Sequence, residues 1–327
     1  MRHAIRLALL ASSTALLAGC PCPKAALPIT VDQLVTQYNA NAAAVPKLYA
    51  RANLDINLVD DKGVPRFITL DGLLMLGKTP GGQDFVLRGS QSGTDVFKLG
   101  QNVQENVYYF WYAFGGKGKL WKGRLNLAGA EAVKSIPVDP TQLLSVLAVC
   151  ELPSDLTKLP AVGLAQEPGG PGERWWCPPD TTRVGKLTQI DRQPASGRIL
   201  SRSEMLFRWA RDQSPRAFQV NILDSSGNRV MVATLKKYRT IKTAPDKSNQ
   251  PAPATMPAFG PPPAPIMPSE IEVAWIGTGN RIRLTLSDMN TYQGKPEIGS
   301  KLIPPPGVEV IQVDEDIVAG PHESAVK

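Results

Sequence analysis

The chain has 327 residues, 43% hydrophobic and 20% charged, which suits a globular fold with a substantial core, and its 30 prolines and 28 glycines favour β-structure with many turns over helices. The net charge of +7 is scattered along the sequence, and no nucleic-acid reading motif is present, so DNA and RNA are poor candidates as partners. The two histidines, His3 and His322, lie near the ends, which argues against a catalytic triad, a zinc site and histidine acid/base chemistry; no cofactor or metal is expected.

Arg2, His3 and Arg6 precede an apolar run from Leu7 to Leu17 that closes in Leu17-Ala18-Gly19-Cys20. A positive start, a short apolar stretch and small residues before a cysteine make a secretory leader with a lipobox. The run is too short, and too interrupted by Ser and Thr, to span a bilayer. It resembles bacterial lipoprotein leaders. That resemblance implies diacylglycerol on the Cys20 thiol, cleavage between Gly19 and Cys20, and acylation of the new amine by a palmitate-like chain. The expected mature chain begins at Cys20, keeps about 308 residues, and carries a charge of about +5 once Arg2 and Arg6 leave with the leader. At about 0.8 kcal/mol per buried methylene, several acyl chains give a stable anchor where one alone is reversible. The alternative is an ordinary secretory leader that happens to end in cysteine.

Residues 20–29 form a tether stiffened by Pro21, Pro23 and Pro28. Thr30 and Gln33 make a capping box, and Val31, Leu34, Val35, Tyr38, Ala42 and Val45 recur at helical spacing, so a helix is predicted that Pro46 ends or kinks. The period then changes to two. Asn53 to Val59 and Arg66 to Leu76 flank the turn Asp60-Asp61-Lys62-Gly63, with Ile68, Leu70, Leu74 and Leu76 on one face. Turns at Thr79-Pro80-Gly81-Gly82, Gln91-Ser92-Gly93-Thr94 and Gly115-Gly116-Lys117-Gly118 carry the meander through Phe85, Leu87 and Val107 to Phe114, and Trp121, Leu125 and Leu127 continue it. The stretch Val107 to Phe114 is apolar on both faces, so each face needs a cover: helices on one and a cavity lined by the other, or a central place in an ordinary two-layer core. Asp139-Pro140 starts a second helix, Thr141 to Val149, with Leu143, Leu144 and Leu147 available for burial.

Of the four cysteines, Cys150 and Cys177 flank a Pro/Gly-rich stretch, most of it in the loop Pro160 to Pro179, and in an oxidising compartment a disulfide between them is the natural reading, with two free buried thiols as the alternative. Trp175 and Trp176, beside Cys177, form either a contact platform or two rings tucked under a loop. In the second half, Thr182 to Arg192, Ile199 to Trp209, Phe218 to Asp224 and Val230 to Ile241 read as strands, although Ile199 to Trp209 also fits a helix. Glu270 to Trp275 and Arg281 to Leu286 alternate cleanly. Ile271, Val273, Trp275, Ile282, Leu284 and Leu286 face one way, and Glu270, Glu272, Arg281 and Arg283 pair on the other. The proline-rich span 245–268 is read as an insertion within one sheet, and Val308 to Val313 as an edge strand in a polar tail over residues 293–327.

A helix, an antiparallel meander, a Pro-initiated Leu-rich helix and a second meander closing on Ile271 to Trp275 and Ile282 to Leu286 resemble the LolA/LolB-like lipoprotein-carrier superfamily, and Cys20 brings the chain nearer its membrane-anchored receptor branch. The resemblance covers Thr30 to about Tyr292. It implies a β-dominated α+β fold: a strongly curved antiparallel sheet, an incomplete barrel with helices packed across its mouth, over residues 30–292. The hollow would take up acyl chains against Ile68, Leu70, Phe110, Leu125, Ile271, Val273, Leu284 and Leu286. The site would be outer-membrane, facing the periplasm.

Three functions follow. The first is a non-catalytic lipoprotein that binds acyl chains and aids lipoprotein or lipid transfer at the outer membrane. The second is a structural or assembly lipoprotein with a filled core, whose loops dock an envelope protein or polysaccharide. The third, an enzyme, is disfavoured, because Asp60 and Asp61 fall on turn chemistry that already explains them and Asp180 and Asp191 are isolated.

Overall fold

Two meanders make the molecule, and one pair of strands joins them. In the computed structural model, described over residues 29–59, 63–113, 118–128, 136–166, 183–192, 199–209, 215–243, 264–292 and 307–315, the first meander runs through β1 (Lys47–Val59), β2 (Pro65–Thr79), β3 (Gly82–Gln91), β4 (Thr94–Asn102), β5 (Val107–Tyr112) and β6 (Lys119–Arg124). The second runs through β7 (Ala161–Gln166), β8 (Arg183–Arg192), β9 (Ile199–Trp209), β10 (Arg216–Leu223), β11 (Arg229–Thr240), β12 (Ile266–Trp275) and β13 (Arg281–Thr291). Strand β13 pairs antiparallel with β1, from Leu48 opposite Thr291 to Asn57 opposite Arg281, and so fuses the two halves. The last strand, β14 (Glu309–Gln312), adds in parallel to β6. The result among the described residues is one open sheet in the order β14-β6-β5-β4-β3-β2-β1-β13-β12-β11-β10-β9-β8-β7.

The sheet curls, and a short helix shows how far. Helix α2 (Pro140–Val146) touches β4, β5 and β11. Of these, β4 and β11 stand six places apart in the sheet order. At about 4.8 Å per strand a flat sheet would separate them by about 29 Å, whereas seven helical residues extend only about 10 Å. The strands must therefore wrap around α2. Their alternation supplies the inner layer: Leu48, Ala50, Ala52, Leu54, Ile56 and Leu58 of β1 are all buried. One apolar cluster takes in this layer, α2 and Leu34 and Val35 of helix α1 (Val31–Ala43).

Helix α1 starts at the predicted capping box, in which Thr30 accepts from Gln33 N at 3.3 Å and Gln33 returns its side-chain oxygen to Thr30 N at 3.0 Å. Two asparagines then seat it. Asn41 donates to Ile266 O and accepts from Ile266 N, both at 2.9 Å, and Asn39 makes the same double contact with Leu152 at 2.8 and 2.7 Å.

One open choice closes and three sequence expectations change. The stretch Ile199 to Trp209 is a strand, settled by its pairing with β8 and β10. Residues 161–166, read as part of a loop, form β7, because Val162 and Leu164 pack inward against the core. Leu125 and Leu127 do not extend the meander but close β6 with a 3-10 turn. On the outer face Glu272 stands opposite Arg283, but Glu270 forms its ion pair with Lys237 of β11, at 2.5 Å. The turns at residues 60–62 and 114–117 lie outside the described residues.

The two faces of β5 are both covered. Tyr108 and Phe110 enter the inner cluster, where Phe110 stacks on Trp121 at 5.4 Å. Tyr109 and Trp111 pack on the outer side with Leu120, Ala113 and Val308. Tyr109 reaches across the strand pair onto Gly100, where an added Cβ would meet Phe85 O and lie 2.9 Å from the Tyr109 hydroxyl. At Gly163, in β7, an added Cβ has nothing within 4 Å. Gly100→Ala is therefore expected to cost about 2 kcal/mol of stability by overpacking. Gly163→Ala should change it by no more than about 0.5 kcal/mol, as measured by urea unfolding of both variants.

Candidate functional site

The concave face is the candidate site, since strand register brings most of the proposed acyl-binding residues onto it in two adjacent rows. Ile271 stands opposite Leu284, which stands opposite Leu54 and then Leu70. In the next row Val273, Ile282, Ile56 and Ile68 line up in the same way. Leu286 follows opposite Ala52, Phe110 lies across the curl on β5, and Leu125 packs in from the turn after β6. All eight residues belong to or pack against one cluster. Six of them, Leu70, Phe110, Ile271, Val273, Leu284 and Leu286, are 1% exposed or less, so no water-sized gap touches them.

Something fills the concavity, and it is the chain itself. Val138, Leu143, Leu144, Val146, Leu147, Val149 and Leu152 are buried between the two flanks of the sheet. A handful of polar contacts fix this segment. Trp275 Nε1 donates to Gln142 Oε1 at 3.1 Å, Asn280 Nδ2 donates to Pro137 O at 2.7 Å, and Lys78 pairs with Glu151 at 2.6 Å. A groove of about 420 Å³ lies elsewhere, between α1 (Asp32, Val35, Thr36, Asn39) and Glu151 and Leu156.

Several polar side chains whose meeting the sequence did not show sit at the inner end of this segment. Cys150 has a free thiol that donates to Gln83 Oε1 at 3.1 Å and Leu144 O at 3.4 Å, and burial pushes its pKa up to about 12. The bridge expected from it to Cys177 is not formed among the described residues, and Cys177 lies outside them. Cys20, Gly19, Trp175 and Trp176 also lie outside the described residues. Tyr38, read as an apolar position of α1, packs edge-on against Phe207 at 6.2 Å, and Phe207 lies 6.1 Å from Trp209. The Tyr38 hydroxyl, Gln83 Nε2 and Trp209 Nε1 are buried without a hydrogen-bond partner. Only the residue types were visible in the sequence; their meeting depends on α1 crossing the strand ends.

No family model matches the chain, and no curated protein matches it. Among solved structures it is similar to a putative outer membrane lipoprotein-sorting protein domain from Vibrio parahaemolyticus, with 10% identity, a TM-score of 0.45, and 82% of this chain and 95% of that one covered. It is similar also to a DUF1329 family protein from Desulfovibrio piger, with 10% identity, a TM-score of 0.44, and coverage of 80% and 92%. A third is a LolA superfamily protein from Nitrosomonas europaea, with 9% identity, a TM-score of 0.42, and coverage of 82% and 97%. These are likenesses of fold.

Asp139 caps α2, accepting from Thr141 N at 2.9 Å and Thr141 Oγ1 at 2.7 Å. Burial raises its carboxyl pKa above the ordinary 3.8, and the Thr141 contacts only partly oppose this. The folded state thus holds this proton more tightly than the unfolded state does. The stability it contributes is complete below the ordinary value and is lost as pH rises through the raised one. Asp139→Asn keeps a capping oxygen and does not titrate. Its stability relative to the parent is expected to rise as pH climbs above the ordinary carboxyl value, as read from urea midpoints at a series of pH values.

Proposed function

We propose that this protein is a membrane-anchored, non-catalytic envelope lipoprotein that binds acyl chains on the concave face of its sheet and aids lipoprotein or lipid transfer at the outer membrane. The observation that carries the reading is a sheet curled into an apolar trough whose filling is a short segment of the same chain, not a second sheet. A segment seated in the trough chiefly by apolar burial is a filling that an acyl chain can replace, because hydrophobic burial is non-directional and one apolar surface substitutes for another. The incomplete barrel would then have α1 and α2 across its mouth. Diacylglycerol and a palmitate-like chain on Cys20 would hold the protein at the membrane, with the tether over residues 20–29 as its leash. Among the described residues no helix is long and apolar enough to cross a membrane.

The full burial of the six wall residues favours a second reading, a structural lipoprotein that docks an envelope partner through its loops. Bound lipid separates the two. Native mass spectrometry of the soluble chain from Ala25 to Lys327 is expected to show a co-purified acyl lipid; a lipid-free spectrum leaves the structural reading. Val273→Glu is expected to lower stability by about 3 kcal/mol or more, since Val273 is fully buried when the segment is seated. Cys20→Ser should leave a folded protein in the soluble fraction. Recovery of that variant in the membrane pellet after a high-salt wash would remove the lipid anchor from the proposal.

A further inference from the structure

The filling segment contains one backbone conformation that its sequence does not favour. Ala148, the residue after the α2 C-cap Leu147, has φ 58°, in the left-handed region. Among the described residues the other non-glycines in that region are Ser92, Asn106, Lys237 and Asp288, all polar or charged. Short polar side chains ease this conformation by bonding to nearby backbone, whereas the alanine Cβ only crowds the following carbonyl oxygen. Glycine is the usual residue at such a helix end. A residue without that freedom persists there because the contacts around it over-determine the backbone.

Those contacts follow directly in the chain. Ala148 and Val149 are buried, and the next three residues are each tied to a different element. Cys150 Sγ shares its proton between Leu144 O of α2, at 3.4 Å, and Gln83 Oε1 of β3, at 3.1 Å. Glu151 pairs with Lys78 of β2 at 2.6 Å, and Leu152 is held by Asn39 of α1 at 2.8 and 2.7 Å. Gln83 is itself fixed, since its carbonyl accepts from Gln101 Nε2 at 2.7 Å. The thiol therefore bridges the last turn of α2 to the sheet, across the strained residue. Turn and bridge oppose each other: the bridge holds the backbone in a conformation it would otherwise leave.

We propose that the Ala148 turn and the Cys150 bridge form a strained clasp that sets how readily the segment leaves the trough, and with it the affinity for acyl lipid. This rests on the acyl-binding reading and adds the residues that regulate it. Strain held in the seated segment is released when the segment is displaced, so it lowers the cost of displacement; the bridge raises that cost. A ligand that takes the vacated trough must supply it, so apparent affinity follows the population of the vacated form. Glycine at position 148 adopts the turn without strain and seats the segment more firmly. Loss of the thiol loosens it.

The test titrates a fluorescent diacylglycerol onto the full chain and reads melting temperature on the same variants. Ala148→Gly is expected to raise the melting temperature and weaken binding about threefold; the effect is modest because a buried methyl is given up. Cys150→Ala should do the reverse, melting lower and binding about threefold more tightly. Gly100→Ala, on the outer face of β4, should melt lower with unchanged affinity, which separates the clasp from stability in general. Affinities equal to the parent's in both clasp variants overturn the clasp and leave the acyl-binding trough in place. A lower melting temperature for Ala148→Gly also overturns it, and this variant decides alone if Cys150→Ala does not fold. Absence of binding by the parent removes the trough and the clasp together.

Discussion

The pairing of β1 with β13 is the contact on which the rest of the fold depends. Each meander is local, strand following strand through short turns, but the seam joins residues near 50 to residues near 285. Without it the first meander would present β1 as a long, apolar edge, and the second would present β13 in the same state, which is a hazard for association. With it, the curl becomes continuous and α2 gains two flanks to touch. The seam is also the most non-local contact in the sheet. Its formation follows the loop closure of the whole second half, so folding is expected to wait on it.

Once the curl exists, its concave side must be filled, because a single sheet leaves one apolar layer without a partner. The chain solves this between its meanders. The segment from Val138 to Leu152 leaves the first meander, drops into the trough through α2, and lies between both flanks before β7 starts the second. Asn280 shows how closely the pieces are keyed: its side chain accepts from Val59 N at 2.8 Å and donates to Pro137 O at 2.7 Å. One buried asparagine therefore ties the end of β1, the β12–β13 turn and the start of the filling segment. Such a residue is invisible to hydrophobic patterning, because its role is set by two backbone groups distant in sequence.

Where the pattern was strict, the sequence reading and the structure agree. The alternation in Ile271, Val273, Ile282, Leu284 and Leu286 placed all five inward, and the capping box at Thr30 placed the start of α1. Where two periods fitted, as in Ile199 to Trp209, only the neighbouring strands decided. Strand β7 was hidden because Gly163 and the flanking prolines outweigh the weak alternation of Val162 and Leu164. The wall residues were legible because burial follows from periodicity. The contact of Cys150 with Gln83 was not, since each residue looks ordinary in its own segment and the two meet only once the filling segment is seated against β3.

The filled trough sets a condition on any ligand. An apolar side chain buried in the segment is worth about 1.5–3 kcal/mol, and a buried methylene of an acyl chain about 0.8 kcal/mol. One displaced leucine therefore trades against two to four methylenes. A short fatty chain cannot replace Leu143, Leu144, Leu147 and their neighbours, whereas two or three long chains on one headgroup can, because they arrive already joined and lose their freedom once. On the proposed reading, an acyl ligand would need several chains to offset the cost of vacating the trough. Selection of this kind needs no wall residue to recognise a chain end. It would act through the competition between the protein's own apolar segment and the hydrocarbon proposed to replace it.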